Sequence, residues 1–125
     1  IINVGLISGG FAVRFMAFYN ESKTFGNGLS RSIAVDDGPD LPSNVIAPGW
    51  IETGMLEAGF NLATIPARAR QDIIERHTTH RFVHLQDIAK IATWLASEEA
   101  SFVTGQIFTV DAGLTAASPI NPTLT

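Results

Sequence analysis

The chain has no cysteine, which excludes disulfides and thiolate metal sites and fits a reducing, cytoplasmic setting. Charge is scarce: Asp, Glu, Lys and Arg make up 16% of the residues, with a net charge of −4. That balance argues against nucleic acid or an anionic membrane surface as a partner. No apolar run approaches the ~20 residues a membrane span needs, and no signal peptide is visible. There is no internal repeat and no low-complexity tract. What the chain does have is apolar matter, 46% of 125 residues. That suffices for one domain burying roughly two thirds of its unfolded surface.

Residues 1–4 read as a short buried strand stopped by Gly5 and the Gly9-Gly10 pair. An apolar strand at the very first residue reads as the second part of something larger. From about residue 15 to 35 the pattern is helical, with Phe18, Phe25, Leu29 and Ile33 as the expected buried face and Ser22 between them. The turn chemistry of DDGPDLP, residues 36–42, stops that helix. Its three aspartates lack the ligand spacing of a calcium loop, so a solvated turn is expected. SNVIAPG, residues 43–49, is a buried strand closed by Pro48-Gly49, and the glycine-containing stretch 50–65 looks mobile. Pro66 suits the first turn of a helix running to about residue 77. Ile88, Ile91, Ala92 and Leu95 carry a stronger one over about 87 to 96, after which Ser97 is placed to cap a turn with Glu98 and Glu99. Residues 106–110 give a last strand, and the Pro- and Thr-rich tail 116–125 reads as irregular.

Apolar rather than alternating strands, interspersed with helices, mean parallel strands covered on both faces. The fold class is α/β: a doubly wound sheet, or half of one. Ligands bind such sheets beyond the strands' carboxyl ends. Here that means residues 5–10, 48–53 and 111–113.

Tyr19 is the sole tyrosine, and it stands four residues before Lys23. Residues four apart share a helix face, so phenol and ammonium can meet. A phenol ionises near pH ~10 in water, and a nearby cation favours the phenolate, which suits it to acid–base work. A half-exposed tyrosine beside a solvated lysine has the same spacing. His77, His80 and His84 could share a helix face, but THRFVH breaks the helix between them and no carboxylate or cysteine accompanies them. Surface histidines near a helix end, with no metal, are expected. Trp94 reads as a packing or subunit-contact residue.

Together IINVG, YNESK, NVIAPGWIETGM and RFVHLQDIAKIATWLASEEASFVTGQIFTVDAG resemble, in order, the C-terminal half of the short-chain dehydrogenase/reductase family over residues 1–115. YNESK fits the family's YxxxK motif. The branch it looks like is that of 3-oxoacyl-carrier-protein reductases and glucose dehydrogenases. The resemblance implies half of a Rossmann-like parallel sheet and an NAD- or NADP-dependent interconversion of a carbonyl and a secondary alcohol. It implies that Tyr19 is the proton donor and that Lys23 assists it and holds the nicotinamide ribose. Pro48 and Gly49 would let the backbone approach the nicotinamide, and Ile51 and Thr53 would hold its carboxamide or phosphate. Trp50 and Phe60 could line an apolar substrate pocket, or only pack a lid. A small-molecule substrate and a homo-oligomer follow from the same resemblance.

The sequence also departs from the family. The glycine-rich phosphate turn and the active-site asparagine of its first half are not in these residues. Counting back from Tyr19, the catalytic serine should stand at position 6, where this chain has Leu6, and Ser8 lies two residues on. Pro42-Ser43, Leu85 and Ala112 replace Arg-Val, proline and glycine. The alternative reading is therefore a catalytically impaired or non-catalytic relative, with Leu6 lining the substrate site and Ser8 as a substitute donor.

Overall fold

A computed structural model describes residues 1–10 and 16–117. The expected helix start at residue 15 and the tail from residue 118 onward fall outside the described residues. Three strands, β1 (Ile2–Val4), β2 (Asn44–Pro48) and β3 (Ile107–Val110), form one sheet in the order β1-β2-β3. Both pairings are parallel, with Val4 opposite Ile46 and Ile46 opposite Phe108. β2 lies in the middle, and all five of its residues are buried because it has neighbours along both edges and on both faces.

Residues partnered across a parallel register share a face, so Asn3, Val45 and Ile107 point one way and Val4, Ile46 and Phe108 the other. Helix α1 (Ala17–Asp36) covers the first face. A Cβ built on Gly5 would lie 2.9 Å from Val45 Cγ1 and 3.5 Å from Asn27 Oδ1. The buried hydroxyls of Ser30 and Ser43 meet at 2.8 Å, tying α1 to the entry of β2. Helix α4 (Leu85–Leu95) covers the second face, where Trp94 meets Phe108 edge-on with ring centroids 5.9 Å apart. This is the expected α/β sheet with a helix on each face.

The side of α1 turned to the sheet differs from the expected one. Lys23, Asn27 and Ser30, spaced four and three residues apart, face the sheet: the first two lie at the β1 end and the turn after it, and Ser30 at the entry of β2. Phe18 and Phe25 stay 89% and 67% exposed, Leu29 is exposed as well, and only Ile33 is partly covered. The apolar stripe is real, but nothing among the described residues lies over it.

The stretch expected to be mobile holds α2 (Gly54–Phe60), capped by Thr53, whose Oγ1 accepts a hydrogen bond from Leu56 N at 3.4 Å. Its Leu56 and Phe60 pack with Phe82 and with Ala69, Ile73 and Ile74 of α3 (Pro66–Arg76). α4 begins two residues before the expected start. Asp87 stands at its third position and accepts from His84 N at 2.9 Å, the reach-back contact that fixes a helix entry. Ser97 does precede a 3₁₀ turn, Glu98–Ala100, but its hydroxyl donates backward to Trp94 O at 2.6 Å. In the aspartate turn, Asp37 O accepts from Asp40 N and Leu41 N at 3.0 and 2.8 Å.

Candidate active site

Two segments leave the carboxyl ends of adjacent parallel strands, β1 into residues 5–10 and β2 into the Pro48–Gly49 turn, and α1 lies across the first. Lys23 Nζ is 3.5 Å from Val4 O, the last carbonyl of β1, and 5.7 Å from the centroid of the Tyr19 ring. Tyr19 is 42% exposed, so its phenol is open to a ligand, while Lys23 is only partly covered. Across one helical turn the chain thus sets a phenol and a cation beside the carboxyl end of β1, where ligands bind in this fold class.

After β1, Gly5 N donates to Ile46 O at 2.8 Å, and Leu6 keeps an extended backbone, φ −160° and ψ 157°, before the 3₁₀ turn Ile7–Gly9. Leu6 is partly covered. Ser8, inside the turn, is 4% exposed, and its Oγ is buried without a hydrogen-bond partner. The turn rests on α1: Thr24 Oγ1 donates to Gly9 O at 3.4 Å, and a Cβ on Gly9 would come within 2.8 Å of Asn27 Nδ2. A hydroxyl therefore exists near the β1 end, but it is enclosed.

Pro48 and Gly49 are buried. A Cβ on Gly49 would fall 2.8 Å from both Cα and Cβ of Asp111, so the absent side chain lets β2 and β3 converge. This is a structural demand on Gly49 in addition to the expected approach of a cofactor. Asp111 closes the β3 end by accepting from Gly113 N at 3.0 Å and from the amide and hydroxyl of Thr115. Burial pushes its carboxyl upward, but the Thr115 and Gly113 hydrogen bonds outweigh that and hold it below its ordinary value.

Beyond Gly49 the chain makes a short parallel bridge between Ile51 and Val83, with Val83 N to Trp50 O at 2.9 Å and Glu52 N to Val83 O at 3.1 Å. Thr53 follows, and a hydroxyl that accepts from Leu56 N keeps its own proton for another acceptor. Trp50 is 41% exposed, whereas Phe60 is 8% exposed, packed inside with its ring 6.0 Å from that of Phe82.

The three histidines do not share a face. His77, expected at the surface, is fully buried at the C-terminal end of α3 with Nδ1 2.7 Å from Ile73 O. His80 occupies a left-handed turn at φ 53°, and His84 Nδ1 lies 3.7 Å from Glu52 Oε2. Sequence patterns also gave no sign of an ion network in which Arg70 meets both Glu52 and Glu57. A threonine before an acidic first turn was the signal for α2 and hence for Glu57.

A parallel sheet with helices on both faces, and a Tyr–Lys pair beside the carboxyl end of β1, make half of a Rossmann-like α/β fold. The family model described as Enoyl-(Acyl carrier protein) reductase matches residues 1–115. The chain is 33% identical over 115 residues to "3-oxoacyl-[acyl-carrier-protein] reductase FabG" of Thermotoga maritima, covering 91% of this chain and 44% of that protein. It is 34% identical over 119 residues to "2-(S)-hydroxypropyl-CoM dehydrogenase 3" of Xanthobacter autotrophicus, covering 93% and 46%. Among solved structures, ligand-free aldohexose dehydrogenase of Thermoplasma acidophilum superposes with a TM-score of 0.90 at 29% identity, covering 97% of this chain and 49% of that one. A 4-hydroxyisoleucine dehydrogenase complexed with NADH gives 0.84 at 30% identity, covering 94% and 47%. The chain belongs to the short-chain dehydrogenase/reductase family. It spans less than half the length of the Thermotoga and Xanthobacter relatives. Among the described residues, no helix is long and apolar enough to cross a membrane.

Proposed function

We propose that the protein carrying this chain is an NAD(P)-dependent oxidoreductase that interconverts a small-molecule carbonyl and a secondary alcohol. The observation that carries this reading is the Tyr19–Lys23 pair at the carboxyl end of β1, with the ammonium 5.7 Å from the phenol ring. In the reductive direction Tyr19 gives its phenol proton to the substrate oxygen, and in the oxidative direction it takes that proton back. Lys23 favours the negative charge that develops on the phenol oxygen. Its one hydrogen bond among the described residues is the 3.5 Å contact to Val4 O, which leaves ammonium donors for ribose hydroxyls.

The residues present fit the nicotinamide end of a dinucleotide. Tyr19 and Lys23 would hold the ribose, the Pro48–Gly49 backbone would lie under the ring, and Ile51 N–H with the free proton of Thr53 Oγ1 would take the carboxamide or the nearer phosphate. When bound, NAD(P)H supplies the hydride to the carbonyl carbon. Trp50 borders this space. The uncovered Phe18 and Phe25 on α1 favour assembly with further copies of the protein.

A second reading, that of an impaired relative, is favoured by one observation. Position 6 carries leucine, and the nearby Ser8 hydroxyl is enclosed. The two readings differ in rate rather than in architecture. We expect Tyr19→Phe to cut turnover by about 10²–10⁴-fold, the range for a positioned proton donor, while cofactor binding stays nearly intact. Lys23→Ala should weaken both. Titration of NAD(P)H and turnover on a carbonyl panel measure the two effects. Equal turnover in wild type and Tyr19→Phe would remove Tyr19 from the reaction.

A further inference from the structure

We propose that Arg70 and Glu52 act as positioning residues for the cofactor loop, a latch that fixes the turn bearing Ile51 and Thr53. The proposal rests on the reading above that this loop holds the nicotinamide end of the cofactor. Three elements meet at the Arg70 guanidinium, which α3 supplies. Its Nη2 binds Glu52 Oε1, in the loop itself, and its Nη1 stands 3.7 Å from Glu57 Oε1, on α2. Its Cζ lies over the Phe82 ring, 4.8 Å from the centroid. Phe82 in turn contacts Phe60 of α2, so charge and packing act on the same unit.

An isolated exposed ion pair does little, because both long side chains remain mobile and water screens them. This one differs in three respects. The guanidinium side chain is 34% exposed and so partly withdrawn from water, while that of Glu52 stays at the surface. The cation–π contact with Phe82 restrains the guanidinium before any carboxylate arrives. Glu52 is pinned at its backbone as well, through Glu52 N to Val83 O at 3.1 Å. With both ends of Glu52 held, its neighbours Ile51 and Thr53 have little freedom to turn away. Thr53 Oγ1 then keeps the orientation that caps α2 at Leu56 N and presents its proton outward. A lysine at position 70 could supply the charge, but its compact ammonium could not meet Glu52 through one nitrogen while a central carbon lies over the ring.

The test uses the full natural protein. Nicotinamide dinucleotide affinity is titrated by NAD(P)H fluorescence for wild type, Arg70→Gln, Arg70→Lys, Glu52→Gln and the double variant Glu52→Gln/Arg70→Gln. Hydrogen exchange of residues 53–60 is followed in the same samples. We expect each single variant to weaken cofactor binding about fivefold, the upper range for a partly screened pair. We expect Arg70→Lys to resemble Arg70→Gln, the double variant to lose no more than either single one, and exchange over 53–60 to quicken in all four. Faster exchange with unchanged cofactor affinity overturns the positioning role and leaves only a structural contact. Additive losses in the double variant overturn the pairing. A wild type that binds no dinucleotide overturns the functional reading itself, and the latch as cofactor positioner with it.

Discussion

β2 and α1 are neighbours built on opposite terms. All five residues of β2 are buried, and Val45 and Ile46 show no exposure at all. In α1, twenty residues long, Ser30 alone is buried, and its largest apolar side chains face away from the sheet. Ser30 and Ser43 join the two with a 2.8 Å hydroxyl contact, so the helix is held by small and polar groups where it touches the strand. A central strand has no choice of face, since neighbours surround it. A helix with both a polar working side and an apolar stripe can present either one to the sheet. In this chain the polar side, with Lys23 and Asn27, goes to the carboxyl end of β1, and the stripe is left uncovered among the described residues.

The largest stability effect should come from the strand. Ile46→Ala should destabilise the protein by about 2–5 kcal/mol, the cost of emptying a filled core site. Phe25→Ser should change stability by less than ~0.5 kcal/mol in urea unfolding at concentrations low enough to dissociate any assembly. It should also reduce self-association in sedimentation. Equal costs for the two substitutions would erase the contrast between strand and helix.

Smaller effects are expected at two turns, one after α3 and one after β3. His80 and Ala112 hold φ of 53° and 54°, the left-handed region that suits glycine. His80→Gly and Ala112→Gly should each raise stability by about 1 kcal/mol in thermal unfolding, because the Cβ clash disappears. A loss of stability in either variant would show that the side chain contributes more than its strain costs.

The smallest effect lies at the entry of α4. The Arg81 guanidinium and the His84 N–H hold the Asp87 carboxyl down at about 2, below the ~3.9 of a free aspartate. A lowered value means the charged form is favoured in the folded state. The contribution is therefore complete above the ordinary value and is lost as pH falls through the folded one. Between pH ~4 and ~2 wild type should lose stability more steeply than Asp87→Asn. Parallel pH profiles of the two would remove Asp87 from the acid response.

What the sequence revealed follows the same division. The three strands, their parallel order and the existence of α1, α3 and α4 were legible because apolar runs and helical periodicity leave direct traces, though of the strands only β2 is buried and Val4 of β1 is exposed. The Tyr19–Lys23 pair was legible because its spacing is that of one helical turn. The direction of the α1 stripe was not, since apolarity calls for a cover without naming it. α2 was missed because seven residues with Gly54 and Gly59 carry too short a period, and its stability comes from Leu56 and Phe60 packing on Phe82. His77 was misjudged because its burial depends on the chain turning back after α3, which sets the Phe82 ring edge-on against the imidazole. The Glu52–Arg70 contact joins residues eighteen apart, which no local pattern records.

In the reading proposed above, the β1 end and α1 supply the proton donor and the cation of one reaction site, with leucine where a hydroxyl is expected at position 6. The decisive measurement is turnover of wild type, Leu6→Ser, Leu6→Ser/Tyr19→Phe and Ser8→Ala in the full natural protein. A donor beside a developing oxyanion is worth ~10²–10³ in rate. We expect a gain of that order in Leu6→Ser, its disappearance when Tyr19 is also changed, and little effect of Ser8→Ala. A wild type already fast, with Ser8→Ala abolishing the rate, would contradict this and make Ser8 the donor.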